Sequence, residues 1–231
     1  MSILNNIVYM PSVRTSTYNL GALKELSLDV RSQIIPRIIV RGDNCTDLDS
    51  FLNDWGEMPL FLEVSQYLLD IDCDLNISLN DNNNHYLNKF NFFKEKYEIS
   101  NKLIPVINEI SPDKLRDIVQ LGIKISNHFD LVGIILDIST NFDKSFSILN
   151  SLLAAFSDEA IANTILIIDA GKIDSLNQIN IDNLKAAFKI VENYNFYSII
   201  TSSTSYPITR PSAGETATHT CIDPVWQNRF N

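Results

Sequence analysis

Four carboxylates stand where an apolar stretch turns polar: Glu63 in PLFLEV, Glu109 in KLIPVINEI, Asp137 in LVGIILDI and Asp169 in TILIIDA. Oxygen ligands of this kind suit a hard cation such as Mg²⁺ or Ca²⁺ if they converge, and a bound metal can activate water without any histidine. All four are candidate catalytic groups, with Asp137, Asp169 and Glu109 the candidate metal ligands. Arg14, Arg41, Ser202 and Arg210 are candidates for holding a phosphate, Arg14 and Arg41 at the ends of two other apolar runs. Asp43 and Asn108 occupy the same kind of position. Together they suggest a metal-dependent phosphoester hydrolase. The plainer alternative is that strand ends become polar because they meet solvent, each carboxylate capping a helix or pairing with an arginine. Four carboxylates at one mouth would also repel each other unless something positive sat among them.

Other chemistry is thinner. His85 lies in an Asn-rich stretch, His128 follows a helix and reads as a partner for its C-terminal dipole, and His219 sits two residues from Cys221. A single His/Cys pair is weak grounds for zinc, and no orienting partner supports a Cys–His nucleophile. The chain contains no GxGxxG, GxxxxGK[ST], HExxH or GxSxG, and its 7 glycines leave nucleotide-cradling loops unsupported. The loop SSTSYPITRPSAG offers hydroxyls, Arg210 and Gly214 where barrel enzymes often bind phosphate, but it reads better as a polar surface loop.

The elements that must position these groups are legible as seven apolar runs: 6–13, 34–40, 59–64, 102–110, 131–138, 164–170 and 197–203. Unbroken apolar runs are what strands covered on both faces require, and parallel sheets provide that setting. Helically spaced segments separate most of them. Leu115, Ile118, Val119, Gly122 and Ile123 form one stripe, with Ser111 as a cap and Pro112 in the first turn. The alternation implies right-handed βαβ units. A TIM-like (β/α) barrel, incomplete or irregular towards its C-terminal end, is the favoured fold, and an open parallel doubly wound sheet is the alternative. Residues 1–207 then form one domain, and 208–231 an irregular tail or the start of an uncompleted element. Between 65 and 101 the pattern falters: DLNISL reads as a short strand and YLNKFNFFKEKYE as a helix, with Tyr86, Phe90, Phe93 and Tyr97 facing the core and Phe92 free for a partner. Trp55 and Trp226 either pack locally or anchor an interface.

Composition narrows the function classes. A net charge of −10 argues against a duplex nucleic-acid binder, whose affinity comes from Lys and Arg neutralising phosphates, and leaves a basic protein patch as the better partner. Three dispersed cysteines fit a reducing compartment. Neither a signal peptide nor an apolar run of membrane length is evident, so the sequence reads as cytoplasmic.

The opening YMPSVRTSTYNLGALKELSLDVRSQIIPRI resembles the Beta protein family of phages and bacteria, through Tyr9, Pro11, Ala22, Leu23, Leu26 and Pro36. Arg14 stands in place of that family's first lysine, Ser16 in place of its second, and Asn19 where it has a glutamate. LVGIILDIS and Ser205-Tyr206-Pro207 resemble two further family segments. The resemblance implies a role in mobile elements and host–phage conflict, and the lost lysine and glutamate imply weak or absent catalysis. The expected activity is the binding of a protein partner, with a metal-dependent phosphoester hydrolase as the alternative.

Overall fold

All seven apolar runs become strands of one parallel sheet: β1 Ser12–Arg14, β2 Arg37–Val40, β3 Leu60–Val64, β4 Leu103–Ile107, β5 Val132–Asp137, β6 Thr164–Lys172 and β7 Ser198–Thr204. The structure, a computed structural model, describes residues 6–42, 45–67, 73–109, 111–139, 141–173 and 181–204. Asp43, Ser205-Tyr206-Pro207, Arg210, Gly214, His219, Cys221 and Trp226, along with the 208–231 tail, lie outside the described residues.

The strand order is β1-β2-β3-β4-β5-β6-β7, with no reversal. Of the alternative expectation the open parallel sheet stands and the double winding is corrected, because that arrangement requires a reversal to place helices on both faces, whereas crossovers of one hand that advance in one direction keep their helices on one side. Helices α1 Thr17–Lys24, α2 Leu28–Arg31, α3 Thr46–Trp55, α4 Asp74–Asn80, α5 Leu87–Ile99, α6 Leu115–Ser126, α7 Phe142–Ala155, α8 Asp158–Ala162 and α9 Ile181–Asn193 connect the strands. Among the described residues no pairing joins β1 to β7, so the sheet is a curled, open half-barrel.

Its curl follows from a single contact. Strands β2 and β6 are four steps apart, about 19 Å in a flat sheet at ~4.8 Å per step. Arg37 of β2 nevertheless donates from Nη1 to Asp169 Oδ2 of β6 at 3.1 Å, which is possible only if the sheet bends round to face itself. The concave side carries its own apolar cluster of Ile35, Phe61, Ile104, Val106, Ile165 and Ile167. Gly133 belongs there by necessity, because a Cβ would sit 3.1 Å from Val106 Cγ2 and 3.4 Å from Phe61 Cδ1. The convex side packs on the helices through a much larger cluster that includes Phe51, Trp55, Phe93, Leu121, Ile134 and Leu152.

Between 65 and 101 the expected strand DLNISL is instead helix α4. Its Asn76 is fully buried, accepting from Gly42 N–H at 3.1 Å and donating to the Val40 carbonyl at 3.3 Å. A helix that plugs the end of β2 with a side-chain amide overrides the weak strand pattern. The following Asn84, His85 and Tyr86 all have left-handed backbone, φ 51°, 59° and 55°, an uncommon conformation for three successive non-glycine residues. Asp117 holds that turn through His85 Nδ1 at 2.6 Å and Asn82 Nδ2 at 2.9 Å. Phe92 is buried, contrary to its expected role as a free contact, and Trp55 packs against Phe51 with centroids 5.2 Å apart. His128 lies just past α6, edge-on to Phe90 and Phe129. Ser111 precedes a single 3-10 turn, Pro112–Lys114, without a side-chain capping bond.

Candidate functional site

Which strand-end residues meet is decided by pleat parity. Residues in register across a parallel sheet project to the same face, and neighbours along a strand alternate. Register pairs Ser12 with Arg37 and Arg37 with Phe61, then Arg14 with Ile39 and Ile39 with Glu63. It also pairs Asp137 with Asp169 and Asp169 with Ser202. Since Phe61 is concave, all of Arg14, Arg37, Glu63, Asp137, Asp169 and Ser202 are on the concave face, and Asn108 joins them two residues beyond Val106. Glu109 has the opposite parity and faces the helices.

Arg37 is the centre. Its Nε donates to Glu63 Oε2 at 2.5 Å and its Nη1 to Asp169 Oδ2. Burial works against its charge, but Glu63 and then Asp169 outweigh it and hold the guanidinium above its ordinary value. Asn108 clamps the other side of Glu63, donating from Nδ2 to Oε1 at 2.8 Å and to the Val64 carbonyl at 2.8 Å. Both acceptors lie on the Nδ2 side, which fixes the amide orientation. Asn108 Oδ1 is then left buried without a hydrogen-bond partner.

The two aspartates are tied to the backbone that follows them. Asp169 Oδ1 accepts from Gly171 N–H at 2.8 Å, where Gly171 takes φ 64°. Asp137 Oδ1 accepts from Ser139 N–H at 2.7 Å, and its Oδ2 from Asn141 Nδ2 at 3.2 Å. The two strand-end aspartates therefore shape the loops leaving the sheet. Arg14 lies with its Cζ 4.9 Å from the centre of the half-exposed Tyr67 ring. Arg41 is exposed, its main chain doubly bonded to Thr15 Oγ1.

Glu109 is withdrawn from this group. It forms a buried ion pair with Lys89 of α5, and Lys89 also donates to Asn80 Oδ1 at 3.2 Å. Glu63, Asp137 and Asp169 thus share a face while Glu109 does not, and among the described residues no three His, Cys, Asp or Glu side chains are grouped to hold a metal ion. Two surface depressions of about 480 and 650 Å³ lie elsewhere, one lined by Asn6, Val8, Ser32 and Gln33, the other between α7 and α9.

Arg37 and Lys89 do not end an apolar run, so the strand-end pattern does not point to them. The signal was nonetheless present: a cation inside IIPRIIV, a run apolar enough to be covered on both faces, must be buried and therefore paired.

A search among curated proteins finds no match to this chain. The family profile described as Beta protein matches residues 9–227, nearly the whole sequence. The chain belongs to the Beta protein family. The Beta-family opening can now be placed: Tyr9 bridges to Ile34 in parallel and accepts Ile35 N–H at its carbonyl, laying the first strand beside the second. Ser16, in place of the second lysine, caps α1 by accepting from Asn19 N–H at 3.1 Å. Asn19, where the family glutamate is expected, donates to the Arg14 carbonyl at 3.0 Å. Both side chains serve the turn from β1 into α1. Among the described residues, no helix is long and apolar enough to cross a membrane.

Proposed function

We propose that this Beta-family chain is a cytoplasmic protein of phage or mobile-element origin that acts in host–phage conflict by binding a protein partner, with weak or no catalysis. One observation carries this reading: the groups best suited to chemistry are already committed to one another, Glu63 and Asp169 to Arg37, and Glu109 to Lys89. A hydrolytic metal would have to displace a buried guanidinium to gain its ligands, whereas a binding surface needs only charge and shape. The net charge of −10 favours a basic partner surface. The same reading takes the curled sheet as part of a (β/α) barrel, since the family match continues past β7 to residue 227.

The test is affinity capture on the immobilised chain from host and phage-infected lysates over a range of salt, followed by direct titration with the purified candidate. A single partner with a salt-dependent Kd supports the reading. Recovery of no saturable partner at any salt removes it.

The hydrolase reading keeps one observation in its favour, the side-by-side placement of Asp137 and Asp169 on neighbouring strands of the concave face. Thermal-shift titration with Mg²⁺, Mn²⁺ and Ca²⁺ decides it, because a ligand of the native state raises Tm by mass action. A rise that Asp137→Asn abolishes would support the metal reading, and an unchanged Tm would end it.

A further inference from the structure

We infer that the concave mouth receives a cationic side chain, arginine or lysine, of a protein partner, seated against Asp169 and Asn108. This rests on the protein-binding reading and names what the partner must present. Two independent features lead to it. The concave face brings together Glu63, Asp137 and Asp169 around one buried guanidinium, Arg37, while Arg14 is placed over Tyr67 and Arg41 is exposed. Of the two carboxylates that meet Arg37, Asp169 is the one open to a further cation, its side chain 21% exposed against 7% for Glu63.

The second feature is Asn108. The residue is only 8% exposed, its Nδ2 is spent on Glu63 and Val64, and its Oδ1 has no donor. A buried acceptor left unpaired destabilises the free protein, so a ligand that brings an N–H to this point gains what the free protein lacks. Asp169 accepts Arg37 Nη1 on one oxygen and Gly171 N–H on the other, which leaves lone pairs to spare. Guanidinium and ammonium groups carry donors and no acceptors, which is the complement of a carboxylate and an orphan carbonyl that flank the same Arg37–Glu63 pair.

The experiment is calorimetric titration of the full chain with Nα-acetyl-arginine amide and, as the neutral isostere, Nα-acetyl-citrulline amide. We expect saturable binding of the arginine probe, with the citrulline probe weaker by about tenfold or more, the scale of one charge-assisted hydrogen bond. Asp169→Asn should weaken the arginine probe similarly, while Asp158→Asn, the same charge change on exposed α8, should leave it unchanged. Equal binding of the two probes, no saturable binding, or binding of Ca²⁺ alone overturns the inference. Should Asp169→Asn fail to fold by circular dichroism, the arginine–citrulline comparison on the unaltered chain decides. A purified partner held equally by the native chain and Asp169→Asn sinks this inference but spares the protein-binding reading. Selective arginine binding with no recoverable partner does the reverse.

Discussion

Replacing Arg37 by methionine tests whether the concave network is organised around one buried cation. The guanidinium is 9% exposed, bonded to Glu63 and Asp169 on strands β3 and β6, so its loss strands a carboxylate that is itself 7% exposed. Removing one partner of a buried pair costs about 3–5 kcal/mol, because the remaining charge has lost both its water and its counter-ion. At roughly 2–4 °C per kcal/mol for a chain of this size, Tm at pH 7 should fall by about 6–20 °C. The pH dependence separates this cause from simple loss of packing. Without Arg37, the stranded carboxylate opposes folding while charged and not once protonated, so the variant's deficit should be smallest in acid and grow as pH rises. Adding Glu63→Gln to Arg37→Met should recover part of the loss. Chemical denaturation of the four combinations at several pH values measures the coupling. A deficit under about 1 kcal/mol, or one that does not change with pH, would refute the claim that Arg37 neutralises this face.

Lys89→Met should destabilise by a similar ~3–5 kcal/mol, read from denaturant midpoints, since it strands Glu109 at the sheet–helix boundary, and Glu109→Gln in the same chain should restore part of it. Burial, then Glu109 and Asp117, push the Tyr86 phenol above its ordinary range. A raised folded pKa keeps its contribution below the unfolded value of about 10 and loses it as pH climbs further, so alkaline titration should unfold the native chain more steeply than Tyr86→Phe. Gly122→Ala should cost about 1–3 kcal/mol in thermal or chemical unfolding, because the new Cβ would stand 2.4 Å from Leu152 Cδ2 and 3.1 Å from Phe156 Cε1 between α6 and α7.

Strand positions were legible because a strand covered on both faces has to be apolar throughout, and seven such runs punctuate the chain. Closure was not, since nothing in a run of isoleucines states whether the last strand meets the first. The aromatic helix α5 shows how a sound pattern rule misleads. Its buried face is Lys89, Phe92, Phe93 and Lys96, an i, i+3, i+4, i+7 stripe hidden by two lysines, so the visible aromatics suggested a stripe rotated by about one position. A lysine reads as surface unless its partner is known, and Glu109 and Asp49, the partners here, are brought up by tertiary folding alone.

The same limit governs the candidate site. A strand end identifies a polar residue but not the face it serves, and one residue's shift in parity separates Asn108, at the concave mouth, from Glu109, under a helix. Four carboxylates read as one cluster become a group of three with an arginine among them, and a fourth that anchors α5. The repulsion argued from sequence was sound: something positive does sit among the carboxylates. It lay at the start of a strand, inside an apolar run, because a long side chain starting at the first residue of β2 rises along the curled interior to the level of strand ends on both sides. In a curled parallel sheet, then, a cation that interrupts an apolar run is as strong a pointer to the mouth as a carboxylate that ends one.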